Sequence, residues 1–510
     1  MVDAFPWWTE EQKAFQKELS EYVSKILPQA EEAYWERRFP WDLIKEIGNK
    51  GYFGAGVPKE YGGRGLGITG CCIAAEQLGR LYCIGHMFVT SHIGGYHQIL
   101  YHGTEEQKKK WLSGLAKGVL GAVCITEPYY GSDAAGIETV AVREGDEYVI
   151  TGKKRFITAG GVANRYLLYA RTSDDPEDKR RYRHLSAFVL EKGMPGFSLE
   201  KINELIGFEN VPNAYLHLDH VRVPVENRIG NEGDGWNIMM GGLNFERTLC
   251  AAVTLGGMVE ALRCIYNYLQ RRVQFGMRTI DLVNNQFAIA DMIADYRIAR
   301  LVTFYSAYTM DIGLNMPVEA AAAKMFTSDS SLRMGINGVQ IMGGDGLTKF
   351  YPVERLVRES KIGQIIAGTN EIMKVIIYRL GPLAMYEDLI YPWRFTLHPR
   401  LQVPMPTFEK SPFAGQEVNE ENMLKLFALN YRINPGLYLT IEDIAKEFEA
   451  PQEKILEVLQ AMEAKGLAAL FKDRRGRILM ARPTYKAIME AAPPEYYKWF
   501  PSWYRDEDKF

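Results

Sequence analysis

GWNIMMGGLNFERTLCAAVTLGGMVEALRCIYNYLQRR, residues 235–272, is one apolar-periodic run without a proline. Apolar side chains recur along it at helical spacing and nothing breaks it, so it predicts one long helix. The pattern changes on both sides. Upstream lie short β-branched runs: Leu120–Ile125, Thr139–Arg143, Tyr148–Thr151, Tyr166–Arg171, Ser186–Leu190 and Ala214–Leu218. Glu144-Gly-Asp146 is a good hairpin turn among them. Strands so spaced predict a small antiparallel sheet or barrel.

Residues 1–122 read as helical again. Helical spacing runs through Glu10–Leu27 and Thr69–Tyr101, and Thr104 with Gln107 looks like a capping box. Downstream, helices are expected over Asn285–Ile312 and Val318–Gly338 and from about Asn370. The expected domains are therefore a helical 1–122, a β-domain 123–234 and a helical bundle 235–385. Residues 386–418 carry Pro392, Pro399, Pro404, Pro406 and Pro412 and read as an extended linker. Residues 419–510 read as a small separate domain. Helices are expected at Asn422–Tyr431, Thr440–Phe448 and Pro451–Lys465, then a two-stranded wing over Leu467–Met480, an order that resembles a winged helix.

At 510 residues, 47% hydrophobic and 24% charged, the composition is that of a soluble globular protein with several domains. A net charge of −3 gives no reason to expect nucleic acid or an anionic membrane. No basic start leads into an apolar run, and no stretch of about 18 uncharged apolar residues stands out, so neither a signal peptide nor a membrane span is expected. Cys71, Cys72, Cys83, Cys124, Cys250 and Cys264 form no metal-ligand spacing. Buried free thiols in a reducing cytoplasm are the expectation.

Four local patterns bear on chemistry. Cys124-Ile-Thr-Glu-Pro128 with Gly131-Ser-Asp133 follows the first strand. Gly152-Lys-Lys-Arg-Phe-Ile-Thr158 sends Phe156 and Thr158 out of a hairpin together. Asn244-Phe-Glu-Arg247 sits on the long helix. Glu246 there has mostly apolar neighbours three and four residues away, so it reads either as a desolvated general base or as the ion-pair partner of Arg247. The fourth comprises Val339-Gln-Ile-Met-Gly-Gly-Asp-Gly346, Tyr351–Arg355 and Ala367-Gly-Thr-Asn-Glu371, in which Gly343 and Gly344 permit close backbone approach.

In this order and spacing the four patterns resemble the acyl-CoA dehydrogenase family, over about residues 5–385. The resemblance implies a mostly α fold with a middle β-domain and a four-helix bundle. It also implies FAD, an acyl-CoA substrate, an electron-transfer flavoprotein as acceptor and a homotetramer or homodimer. It assigns Ile125, Thr126, Ser132, Phe156, Thr158, Arg272, Phe275, Gln340, Gly343, Gly344, Thr369 and Glu371 to the flavin. Phe156 stands where the family usually has tryptophan. Ser132, Asn244 and Arg247 fall to the CoA substrate, and no metal is implied. Arg272 follows Glu246 by 26 residues, roughly 39 Å along a continuous helix. Glu246 and Arg272 of one chain therefore should not share one flavin, which predicts an oligomer.

Most relatives carry a catalytic glutamate where this chain has Ala367. The branch resembling isovaleryl-CoA dehydrogenase instead places it on the long helix, where Glu246-Arg247 matches. The implied reaction removes the α-proton by Glu246 and passes the β-hydrogen as hydride to flavin N5, giving a 2,3-enoyl-CoA. The Ala367 backbone N–H would hold the thioester carbonyl. The alternative is a catalytically silent flavoprotein acting through its C-terminal domain.

Gly85–Tyr96, with His86, Thr90, Ser91 and His92, is expected to line part of the acyl pocket. The arginine that marks decarboxylating, glutaryl-type relatives aligns with Gly85, which argues against decarboxylation. Residues 419–510 hold 14 basic and 15 acidic side chains. That balance favours a packing or subunit-contact role over DNA.

Overall fold

The computed structural model describes residues 4–314, 316–385, 411–433, 436, 438–473 and 475–491. The chain divides into two units, Met1–Leu383 and Ala384–Phe510. Most of the linker expected at 386–418, residues 386–410, lies outside the described residues.

The first unit opens with six helices: α1 (Glu10–Trp35), α2 (Trp41–Asn49), α3 (Gly67–Leu78), α4 (Cys83–Ile93), α5 (Tyr96–His102) and α6 (Glu105–Ala116). Thr9 caps α1 and Thr104 caps α6, each through a full capping box that satisfies two free N–H groups. Strands β1 (Gly121–Cys124), β2 (Val140–Glu144), β3 (Glu147–Thr158) and β4 (Arg165–Arg171) follow, then a short helix α7 (Pro176–Arg180). Next come β5 (Leu185–Glu191), β6 (Phe197–Ile202), β7 (Asn213–Pro224) and β8 (Arg228–Ile229).

The sheet runs β6-β7-β3-β2-β4-β5-β8, with β1 beside β4. It is antiparallel as expected except that β1 and β4 run parallel, with one parallel bridge joining β2 to β4. The β2–β3 hairpin turns at Gly145, whose φ of 64° explains the glycine. Strands β6 and β8 have no counterpart in the sequence reading.

Helix α8 (Gly235–Arg271) is continuous. A small hairpin, β9 (Val273–Gln274) and β10 (Met277–Arg278), leads into α9 (Val283–Asp311), α10 (Pro317–Met342), α11 (Pro352–Gly363) and α12 (Asn370–Ala384). The α8–α10 bundle, α3, α4 and the inner face of the sheet share one apolar core. Among the described residues α8 alone is long and apolar enough to cross a bilayer, and most of that stretch is buried inside the unit, as suits a core helix. Small residues let the chain close on it. A Cβ on Gly256 would lie 2.4 Å from the Glu76 carbonyl, and one on Gly79 would lie 2.2 Å from that of Val253. The crossing helices thus meet backbone to backbone there.

The second unit has its own core, in which Phe413 and Val418 join Met423, Phe427, Ile444, Phe448, Ile455 and Leu459. Its elements are α13 (Glu420–Ile433), β11 (Leu439–Thr440), α14 (Ile441–Phe448), α15 (Gln452–Ala464), β12 (Ala468–Lys472), β13 (Ile478–Pro483) and α16 (Tyr485–Ala491). The Thr440 hydroxyl accepts from the Asp443 N–H at 3.0 Å and starts α14. The sheet gains β11 as a third strand beside the expected pair, in the order β11-β13-β12. Two basic groups at this hairpin pair with acids: Lys472 with Glu463 and Arg477 with Asp473.

Candidate active site

Glu246 lies on α8 about three turns beyond the helix start, between Phe245 and the buried Arg247, Thr248, Leu249 and Cys250. Burial pushes its carboxyl up to about 7, against the opposing pull of Arg247 and then Lys324. The ion pair with Arg247 that the sequence left open does not form. Instead the Arg247 guanidinium donates to Asn244 Oδ1 at 2.9 Å and to the Ala367 carbonyl at 3.4 Å. Adjacent residues on a helix point in different directions, which is why neighbours in sequence part company here. Among the described residues no hydrogen bond or ion pair occupies the Glu246 carboxylate, which leaves it open to take a proton.

Ala367 sits in the turn between α11 and α12. Its φ of 56° is followed by 86° at Gly368, two left-handed residues in succession. A non-glycine residue there is strained and persists because its surroundings hold it. The surroundings are Arg247 on the Ala367 carbonyl and Lys324 on the Gly368 carbonyl at 2.8 Å. Thr369 accepts from the Ile372 N–H at 3.3 Å and helps start α12, where Glu371 is exposed in the first turn. Lys324 was not singled out in the sequence. Its only signal is a lysine inside the alanine-rich face of residues 320–324.

A second group gathers at the sheet edge. Lys154, fully buried, donates to the Ile125 carbonyl at 3.1 Å, to Glu127 Oε1 at 2.7 Å and to the Tyr169 carbonyl at 2.8 Å. The Arg155 N–H donates to the Thr126 carbonyl at 2.8 Å. These bonds bring the loop after β1 against the end of β3. The β3–β7 register shifts between Lys154 and Ile157, and Phe156 adopts a φ of 57°. That irregularity turns the Phe156 ring outward, 46% exposed. The Thr158 hydroxyl accepts from Asn213 Nδ2 at 3.3 Å, which leaves its own hydrogen for a ligand. Ser132 is exposed on the same loop as Thr126. A strained, outward-facing aromatic next to a free hydroxyl donor suits a flat heteroaromatic ring.

A third group is far along α8. Arg272 caps the C-terminus of the helix, and Phe275 beyond it is 92% exposed with a φ of 55°. Gln340, Gly343 and Gly344 are exposed at the end of α10, and a Cβ on either glycine would meet nothing within 4 Å. The Tyr268 hydroxyl donates to Asp345 Oδ2 at 2.5 Å and ties the two helix ends together, and open backbone with an exposed arginine suits a phosphate-bearing ligand. The continuity of α8 keeps this group away from Glu246 in the same chain.

The stretch expected to line an acyl pocket is largely packed inside. Ser91 Oγ bonds the Met87 carbonyl at 2.7 Å and receives the Gly121 N–H at 3.2 Å. His92 Nδ1 contacts the Phe88 carbonyl at 2.8 Å. His86 packs against Phe208 at a tilt of 46°, with ring centroids 4.1 Å apart. A Cβ on Gly85 would lie 2.6 Å from Gly79 Cα, so no side chain fits there without moving backbone.

Three family descriptions match consecutive parts of the chain: acyl-CoA dehydrogenase N-terminal domain over 9–119, middle domain over 122–221 and C-terminal domain over 233–380. An acyl-CoA dehydrogenase of Bacillus subtilis (strain 168) is 39% identical over 379 residues, covering 73% of this chain and 99% of the relative. The structure of butyryl-CoA dehydrogenase from Megasphaera elsdenii superposes with a TM-score of 0.70 at 33% identity, covering 75% of this chain and 100% of the other. A chain solved in work on the electron transferring flavoprotein of Acidaminococcus fermentans and flavin-based electron bifurcation gives a TM-score of 0.71 at 36% identity, covering 74% and 99%.

Proposed function

This chain belongs to the acyl-CoA dehydrogenase family, an FAD-dependent oxidoreductase family, and from that premise we propose that Glu246 is the base for α,β-dehydrogenation of its acyl-CoA substrate. The observation that carries this reading is a carboxylate with no hydrogen-bond or ion-pair partner among the described residues, raised to about 7 by burial and one residue from the arginine that holds the Ala367 turn. Such a group is ionised enough near neutral pH to act and basic enough to accept an α-proton.

When bound, FAD would supply the hydride acceptor for the β-hydrogen. The chain's own residues do the rest. The Ala367 N–H donates to the thioester carbonyl and stabilises the charge that grows there as the α-proton leaves. Substituting glutamate by alanine at 367 keeps that N–H, so the turn retains a role without supplying a base. Asn244 and Arg247 order the substrate side of α8. Thr126, Phe156 and Thr158 would hold the ring system, with Ile125 and Ser132 on the loop that carries Thr126. Arg272, Phe275, Gln340, Gly343 and Gly344 would hold the pyrophosphate region of a neighbouring subunit's FAD. The product is a 2,3-enoyl-CoA, and an electron-transfer flavoprotein takes up the electrons.

The crowded Gly85 backbone leaves no room for the arginine of glutaryl-type relatives, which favours simple dehydrogenation. The test is anaerobic mixing of flavin-loaded protein with butyryl-, isobutyryl-, cyclohexanecarbonyl- and 3-phenylpropanoyl-CoA. Bleaching of the flavin band by at least one of them is expected. No bleaching by any, with ligand binding seen, favours the silent flavoprotein.

A further inference from the structure

Lys324 is 2% exposed on α10. Its ammonium donates to the Gly368 carbonyl at 2.8 Å and to Asn370 Oδ1 at 2.9 Å. Arg247, from α8, donates to the carbonyl just before, that of Ala367. Two cations from two helices therefore grip consecutive carbonyls of one left-handed turn. Asn370 is itself fixed, because its Nδ2 donates to Ser328 Oγ at 3.0 Å and to Asp329 Oδ1 at 2.7 Å. A neutral donor would satisfy the Gly368 carbonyl at far lower desolvation cost than a buried ammonium. The charge therefore calls for a reason beyond holding the backbone.

We infer that Lys324 is a positioning residue for the dehydrogenation, aiming the Ala367 N–H at the substrate carbonyl and placing a positive charge beside Glu246 and the developing enolate. This rests on Glu246 being the base. The groups that face Glu246 electrostatically are Arg247 and the Cys250 thiol on α8, Lys324 on α10 and the Tyr169 hydroxyl on β4. Asp329 faces Lys324 on α10. Of these, Arg247 and Lys324 oppose the effect of burial on Glu246. Burial draws Lys324 down to about 8, so it still carries most of its charge where Glu246 is half ionised. Removing the ammonium would both loosen the donor and let the Glu246 carboxyl rise.

The test uses the full flavin-loaded chain with Lys324→Met and Lys324→Arg, mixed anaerobically with the acyl-CoA that bleaches the parent protein best. For Lys324→Met, the limiting bleaching rate is expected to fall about 100-fold, as for loss of one oxyanion donor. Its acid limb should move to higher pH. Lys324→Arg keeps the charge with altered bonds, so its rate falls while its acid limb stays in place. Parent-like rate and acid limb in Lys324→Met would overturn the inference. If Lys324→Met takes up no flavin, Lys324→Arg decides: slower bleaching with an unmoved limb supports the inference, and a parent-like rate or a moved limb overturns it. Glu246→Gln is run alongside. Parent-like bleaching by that variant means the base assignment has failed, whatever the Lys324 variants do.

Discussion

The Arg247 guanidinium reaches the Ala367 carbonyl across 120 residues of sequence, at 3.4 Å. It thereby ties the helix that bears Glu246 to the turn that would hold the substrate carbonyl. A planar arginine bridges Asn244 and Ala367 at once, which an ammonium on a flexible stem does poorly. Arg247→Lys is expected to retain flavin but lower kcat/KM by about 10- to 100-fold, or roughly 1.4–2.7 kcal/mol. Steady-state assays against the responsive acyl-CoA check this. An unchanged kcat/KM would show that the tie does not matter to catalysis.

Glu246→Gln keeps shape and removes the proposed base. Bleaching should slow by about 10²- to 10⁴-fold, the usual contribution of a positioned base. Affinity for the acyl-CoA, read from the perturbed flavin spectrum, should stay within a few-fold. Loss of binding together with rate would point to a structural part for Glu246 instead.

The raised carboxyl sets two pH trends of opposite kind. As the proposed base Glu246 acts in its carboxylate form, so bleaching should rise with pH through about 7 and then level. Stability moves the other way. The folded chain holds the Glu246 proton more tightly than the unfolded chain, whose value is near 4.5. Between about 4.5 and 7 this group therefore lowers stability as pH rises, by an amount on the order of 3 kcal/mol, and the loss persists above 7. Glu246→Gln removes that term. Its melting temperature should exceed the parent's by more at pH 8 than at pH 5, and equal differences at the two pH values would contradict a raised carboxyl.

What the sequence disclosed and what it hid follow from how local each signal is. The capping boxes at Thr9 and Thr104 depend on residues three apart, and that at Thr104 was visible. The unbroken α8 and the Gly145 hairpin were visible for the same reason. Strand β6 was not, because five of its six residues are exposed and show no clear alternation. Lys324 was hidden because its partners, Gly368 and Asn370, lie more than 40 residues away. Arg247 was read correctly as adjacent to Glu246 but not as turned toward Ala367, since helix direction and packing decide that.

Ala367 carries backbone strain that glycine would not. Ala367→Gly should stabilise the protein by up to about 1 kcal/mol and keep activity within several-fold, because the peptide N–H remains. Ala367→Val should destabilise by a similar amount, since branching at Cβ worsens a positive φ. In the Glu246→Gln background, Ala367→Glu returns a carboxylate to the turn and should restore part of the bleaching. Thermal melts and anaerobic mixing test all three. A destabilised glycine variant would contradict the strain.

Shared flavin sites predict complementation between two inactive proteins. About 39 Å of continuous helix separates Glu246 from Arg272, so each site should draw its base from one subunit and its pyrophosphate ligand from another. Arg272→Glu should lose flavin affinity while its Glu246 stays intact. Mixing it with Glu246→Gln under conditions of subunit exchange then creates one site with both groups in each mixed pair. Half of randomly formed pairs are mixed and each has one intact site of two, so about a quarter of the parent activity should return. Activity no greater than the sum of the separate variants would mean that Glu246 and Arg272 serve the same chain's flavin, despite the length of α8.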